Sequence, residues 1–199
     1  MGGDYELALR ERILDPLELK FTGITLNPEM KSRMTSGHDA EGKEVPHWDL
    51  PGLAGAGALL SNAKDMFRFL RANIGEPTTK LERAMRVSHE PREKAQGANM
   101  IGLCWHILSV GEERIVWHNG GTGGYRSFVG FDPDKEVGVV VLMNSTQGGD
   151  DIGLHLLNNL LPLAAPSAAP VVRTEVVVSR EVTAFDIRQG GANQRAKKL

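Results

Sequence analysis

The run VGVVVLM, residues 137–143, constrains the fold more than any other stretch. Its seven residues are apolar apart from one glycine, and four are valine. Such a run is short for a buried helix and rich in β-branched residues, so it reads as a strand covered on both faces. It needs a neighbour on each side and a layer above and below. The segment before it supplies one neighbour. In YRSFVGF, Tyr125, Ser127, Val129 and Phe131 fall on one face of a strand, and DPDKE between the two runs has hairpin length. Upstream, Leu103, Trp105 and Ile107 alternate, as do Ile115 and Trp117. Short links between successive strands make the sheet mainly antiparallel.

Helical periods lie on either side of this meander. DYELALRERILD, residues 4–15, repeats Tyr5, Leu9 and Ile13, pairs Glu6 with Arg10, and stops at Pro16. SNAKDMFRFLRANIG, residues 61–75, carries the stripe Met66, Leu70 and Ile74, with Ser61 as the expected N-cap and Gly75 and Pro77 as the stop. Residues 79–88 form a further helix. DDIGLHLLNNLL, residues 150–161, places two acids in its first turn, where the dipole favours them. Residues 20–57 have no sustained period and read as an irregular excursion of the kind that often carries function. Helices, then a meander, then a helix give an α+β fold: an antiparallel β-sheet flanked by helices. The expected domain covers residues 1–162. Residues 163–199 read as a linker, one strand-like piece (TEVVV), and a polar basic end expected to be disordered.

Composition narrows the function classes. Lys plus Arg is 23 against 25 Asp plus Glu, a net charge of −2, so nothing points to nucleic acid or an anionic membrane. No apolar stretch reaches the ~20 residues of a membrane span. MGGDYELALRER lacks the basic-then-apolar pattern of an export signal, so the chain as given reads as cytoplasmic. The single cysteine, Cys104, forms no internal disulfide and reads as a buried, inert thiol. His38, His47, His89, His106 and His155 show no metal-ligand spacing.

The stretch HNGGTGG, residues 118–124, is the chemical anomaly. A phosphate cradle needs a different glycine spacing, and a strand rather than a helix follows. A plain loop between strands remains open. So does an oxyanion site, in which glycines at a strand edge aim backbone N–H groups at a developing negative charge. His118 is then placed to orient a substrate or assist proton transfer. Tyr125 and Arg126 follow as candidates to line the cleft, Tyr125 being equally suited to packing in the sheet.

From ERILDPLELKFTGITL, through LAGAGALLSNAKDMFRFL, to WHNGGTGGYRSFVGFDPDKEVGVVVLMNS, the chain resembles the serine hydrolases of the class C β-lactamase, penicillin-binding protein and family VIII esterase group. The resemblance implies that His118, Asn119 and Gly120 match that group's Lys-Thr-Gly or His-Thr-Gly motif. It implies that the Gly121 N–H is an oxyanion donor, and that Asn144 lies where relatives hold a substrate carboxylate. Asn119, Gly120, Tyr125 and Asn144 are then substrate-binding residues, and the substrate is a small ester, amide or β-lactam. The resemblance implies no cofactor. The group's chemistry begins at a Ser-x-x-Lys and a Tyr-x-Asn that the resemblance places before the matching segment. The chain therefore reads as the C-terminal part of such an enzyme, inactive alone, with an exposed sheet face that favours self-association. Two alternatives stand beside this: a non-catalytic binding remnant, or a hydrolase using Ser61, since Ser61-Asn62-Ala63-Lys64 fits Ser-x-x-Lys.

Overall fold

The computed structural model describes residues 4–165 apart from 51 and 98, and the backbone of strands at 174–179, 183–187 and 197–198. The chain opens with α1 (Tyr5–Leu9), which widens into a π-helical turn over Arg10–Leu14. The excursion that follows holds α2 (Pro28–Arg33), a small antiparallel pair of β1 (Gly37–His38) and β2 (Glu44–Val45), and a 3-10 turn at Ala54–Ala56. Then come α3 (Ala63–Ala72) and α4 (Lys80–Ser88). The strands β3 (Glu93–Lys94), β4 (Asn99–Ile101), β5 (His106–Val110), β6 (Glu113–Thr122), β7 (Tyr125–Asp132) and β8 (Val137–Met143) precede α5 (Asp150–Leu157). β9 (Thr174–Ser179), β10 (Thr183–Ile187) and β11 (Lys197–Lys198) complete a sheet whose spatial order follows the chain from β3 to β11. Every pairing is antiparallel. The expected α+β fold with an antiparallel sheet is present.

The run VGVVVLM is a central strand, between β7 and β9. Val140 packs with Leu70 of α3, Val116 and Phe131 on one face. Val139 and Val141 pack with Ile115, Phe128 and Leu157 of α5 on the other. This corrects the expectation that the run loses cover on one face: Val139, Val140 and Val141 are buried to 1% exposure or less. Helices from within the chain supply both layers. Exposed apolar side chains lie elsewhere, among them Trp48 and Leu53 in the excursion, Leu59 just after it, Tyr5 and Leu7 on α1, and Leu160 and Leu163 after α5.

Several local expectations change. The first helix does not bury Tyr5, and Glu6 does not spend its carboxylate on Arg10. Glu6 instead accepts from the N–H groups of Ile24 and Thr25 and from the Thr25 hydroxyl, tying α1 to the excursion. Those bonds, led by Thr25, hold its carboxyl below the usual range, with Arg10 a smaller contributor. The N-cap of α3 is Asn62, whose side chain accepts from the Asp65 N–H at 2.9 Å; Ser61 lies one residue further out. Cys104 is exposed, with φ of 59°. Alternation read from Leu103 starts too early. The Gly102 N–H bonds the Trp105 carbonyl at 2.8 Å, so residues 103 and 104 form the outward bend of the β4–β5 hairpin. The piece TEVVV is a full sheet member, and the sheet continues past residue 162. Most of the tail expected to be disordered, and residues 166–173 of the expected linker, lie outside the described residues; Lys197–Lys198 pairs with β10.

Candidate functional site

HNGGTGG is mostly strand. Residues 118–122 are the end of β6, and only Gly123 and Gly124 turn, Gly124 with φ of 75° that glycine adopts without strain. Thr122 pairs with Tyr125 across this two-residue turn, closing the hairpin. Hydrogen-bonded and non-bonded pairs alternate along an antiparallel ladder, so Gly121 and Arg126 form the next, non-bonded pair. The N–H and C=O of Gly121 therefore face away from β7. On that side β6 has no partner past Trp117, because β5 begins at His106 opposite it. The result is an open strand edge over residues 118–122.

This edge forms one wall of a cavity of about 750 Å³. Gly120, Gly121, Tyr125, Arg126 and Asn144 line it from the sheet. The opposite wall comes from the excursion and the start of α3, including Phe21, Met30, Leu60, Ser61 and Lys64. One buried carboxylate fixes that second wall. Asp65, 2% exposed, accepts from the Phe21 N–H at 2.7 Å and the Thr22 hydroxyl at 2.9 Å. Thr22 has one hydroxyl proton and gives it to Asp65, so the Ser61 hydroxyl, 2.8 Å from Thr22 Oγ1, donates to Thr22. This link was not visible in the sequence, since its ends are 43 residues apart.

The cavity brings together Gly120, Gly121, Tyr125 and Asn144. It does not gather His118 and Asn119, which are exposed but not part of its lining. The His118 Nδ1–H donates to the Asn119 carbonyl at 2.5 Å, and its ring stacks on His106 with centroids 5.3 Å apart. Burial, and then the His118 charge, push the His106 pKa down. The Asn119 amide donates to Asp150 at the start of α5, at 2.5 Å. The Tyr125 phenol donates to the Thr35 carbonyl at 2.7 Å, and burial raises its pKa, so it stands as a protonated donor. The Asn144 amide donates to the Ser36 carbonyl at 2.9 Å, while its buried Oδ1 has no partner among the described residues.

The family model Beta-lactamase matches residues 1–161, most of the chain. The chain belongs to the beta-lactamase family. It is 26% identical over 209 residues to "Putative beta-lactamase-like 1" of Homo sapiens, covering 96% of this chain and 42% of that protein. It is 29% identical over 181 residues to a protein named "Beta-lactamase" from Escherichia coli K12, covering 72% of this chain and 46% of the relative. A solved class C beta-lactamase superposes with a TM-score of 0.71 at 19% identity, over 82% of this chain and 53% of that one, which shows a shared fold. The chain thus spans about half the length of the beta-lactamase-family proteins it matches. The antiparallel sheet with flanking helices is the fold it shares with that class C beta-lactamase.

Proposed function

We propose that this chain carries the oxyanion-strand half of a serine-hydrolase cleft. The whole protein's reaction is then acyl transfer from an ester, amide or β-lactam to a serine, followed by hydrolysis. The observation that carries this is the Gly121 N–H, facing the open edge of β6 and the cavity beside it. A fixed backbone donor at such an edge stabilises charge on an acyl oxygen without reorganising, which is the largest single contribution in many acyl-transfer enzymes. Gly120 keeps the approach clear, Tyr125 and Asn144 border the space for the substrate, and His118 acts from the rim. Among the described residues no serine is hydrogen-bonded to a general base, so we expect no turnover from this chain by itself.

A second reading rests on one observation: Ser61 and Lys64 both line the cavity opposite Gly121. Against Ser61 as nucleophile, its hydroxyl donates to Thr22, and no hydrogen bond joins it to Lys64 among the described residues.

Amide-resolved NMR of the 199-residue chain tests the main reading. Methyl benzylphosphonate, a tetrahedral monoanion resembling an ester under attack, should shift the Gly121 amide most among the β6 amides. Chromogenic cephalosporins and p-nitrophenyl esters should show no turnover. A ligand that binds while leaving Gly121 unmoved defeats the oxyanion assignment, and saturable turnover lost in Ser61→Ala establishes the second reading.

A further inference from the structure

The side chain directly across the hairpin from Gly121 is Arg126, and it crosses over that glycine. A Cβ at position 121 would collide with Arg126 Nη1 and come within 2.9 Å of its Cζ. The guanidinium therefore lies against the backbone at 121, in space that only glycine leaves free. Its Nε–H donates to the Thr146 carbonyl at 3.1 Å, which anchors the head group and leaves the two terminal nitrogens free of that bond. No carboxylate pairs with it among the described residues. The described cavity lining holds Arg33, Lys64 and Arg126 and no Asp or Glu. Of the three, Arg33 already has Glu29 at 3.8 Å and the Phe21 ring at 4.9 Å. An anchored, unpaired cation beside a backbone donor, in a cavity without acids, is suited to an oxygen that bears negative charge.

We propose that Arg126 is a second, cationic donor at the oxyanion position of Gly121. The inference rests on the reading of Gly121 given above and adds a residue to it. The backbone N–H fixes direction, and the guanidinium adds charge. Arg126 is exposed, so water screens it, and its effect is tens-fold at most rather than thousands-fold. It also explains the pairing of residue types across the hairpin. A side chain at 121 would push the guanidinium away, so Gly121→Ala should mimic loss of Arg126.

The test uses the 199-residue chain at low ionic strength and three probes: methyl benzylphosphonate, its neutral planar counterpart methyl phenylacetate, and the planar anion phenylacetate. Titration calorimetry should show the phosphonate binding at least about tenfold more tightly than the ester. Arg126→Gln should reduce phosphonate affinity to that of the ester and leave the ester's Kd unchanged. Arg126→Lys should keep a preference of a few-fold, since an ammonium has charge but no planar fork. Raising salt should weaken phosphonate binding in the parent but not in Arg126→Gln. Unchanged phosphonate affinity in Arg126→Gln overturns the proposal while the cleft reading stands. Phenylacetate binding as tightly as the phosphonate, with the same dependence on Arg126, also overturns it, because the residue would then read a carboxylate. If Arg126→Gln fails to fold, Arg126→Lys and the salt series decide. Binding of neither phosphonate nor ester defeats the cleft reading and this proposal together.

Discussion

The two walls of the cavity are built by different physics. The sheet wall is local: Gly120, Gly121, Tyr125 and Arg126 sit on one hairpin, and register alone brings them together. The opposite wall is assembled from distant pieces, with Phe21 and Thr22 held to α3 through the single carboxylate of Asp65, and Ser61 held in turn by the Thr22 hydroxyl. The first wall is braced by a core on both faces of the sheet. The second depends on a few polar bonds, so it should yield first when conditions change. Under the proposed reading, the donors for a reacting group stand on the rigid side and the adaptable side meets the rest of a ligand.

Removing the bracing of the sheet wall should have the largest effect. Phe128 is 1% exposed and stacks on Trp117 with centroids 5.8 Å apart, beneath α5. Phe128→Ala should cost about 3–5 kcal/mol, read by denaturant melts. A loss under about 1 kcal/mol would mean that the sheet is not the rigid side.

Acid should destabilise the chain through His89, which packs against Trp105 and Phe131 at the sheet's α3 face. Its Nε2 lies 2.8 Å from the Asn73 side-chain oxygen. Burial, and then the charges of Arg86 and Arg114, lower its pKa from 6.5 to about 4. The folded pKa is the lower one, so the unfolded chain takes up the proton first as pH falls. Stability is full above pH ~6.5 and is lost between there and ~4, by roughly 3 kcal/mol in all. His89→Gln should flatten the melting profile in that window relative to the parent. Parallel profiles for the two proteins would remove His89 from the account.

On the assembled wall, Asp65→Ala should cost about 2 kcal/mol, since it strands the Phe21 N–H and the Thr22 hydroxyl. It should also raise hydrogen exchange at residues 20–23 and leave β6 and β7 protected. Equal loosening of both walls would erase the distinction between them. The smallest effects concern the start of α3. Asn62→Ala should cost about 1 kcal/mol as a lost N-cap, and Ser61→Ala roughly half that or less. The reverse order would return the cap to Ser61.

The same contrast explains what the sequence disclosed. The meander was legible because β5–β8 carry period-two patterns joined by turns, and VGVVVLM could only be a strand covered twice. The glycines were legible as special, though they are an open strand end rather than a loop. What stayed hidden is long-range. Nothing near Asp65 predicts that it holds Phe21 and Thr22, and nothing near Glu6 predicts that it serves Thr25 instead of Arg10. Short-range cues also misled where a turn interrupts them. Cys104 sits in an apolar neighbourhood but in the outward bend of a hairpin. His118 stands beside the cavity lining with its ring on the neighbouring carbonyl, and nothing in the sequence showed that Arg126 crosses Gly121.

The central proposal is that the described residues present an oxyanion strand without an activated nucleophile. Mass spectrometry of the purified chain after incubation with an alkyl fluorophosphonate tests it most directly. The account predicts the unmodified mass, with no serine adduct after hours at neutral pH. An adduct that maps to Ser61, forms in proportion to protein and disappears in Ser61→Ala would contradict it, and would make the assembled wall the catalytic one.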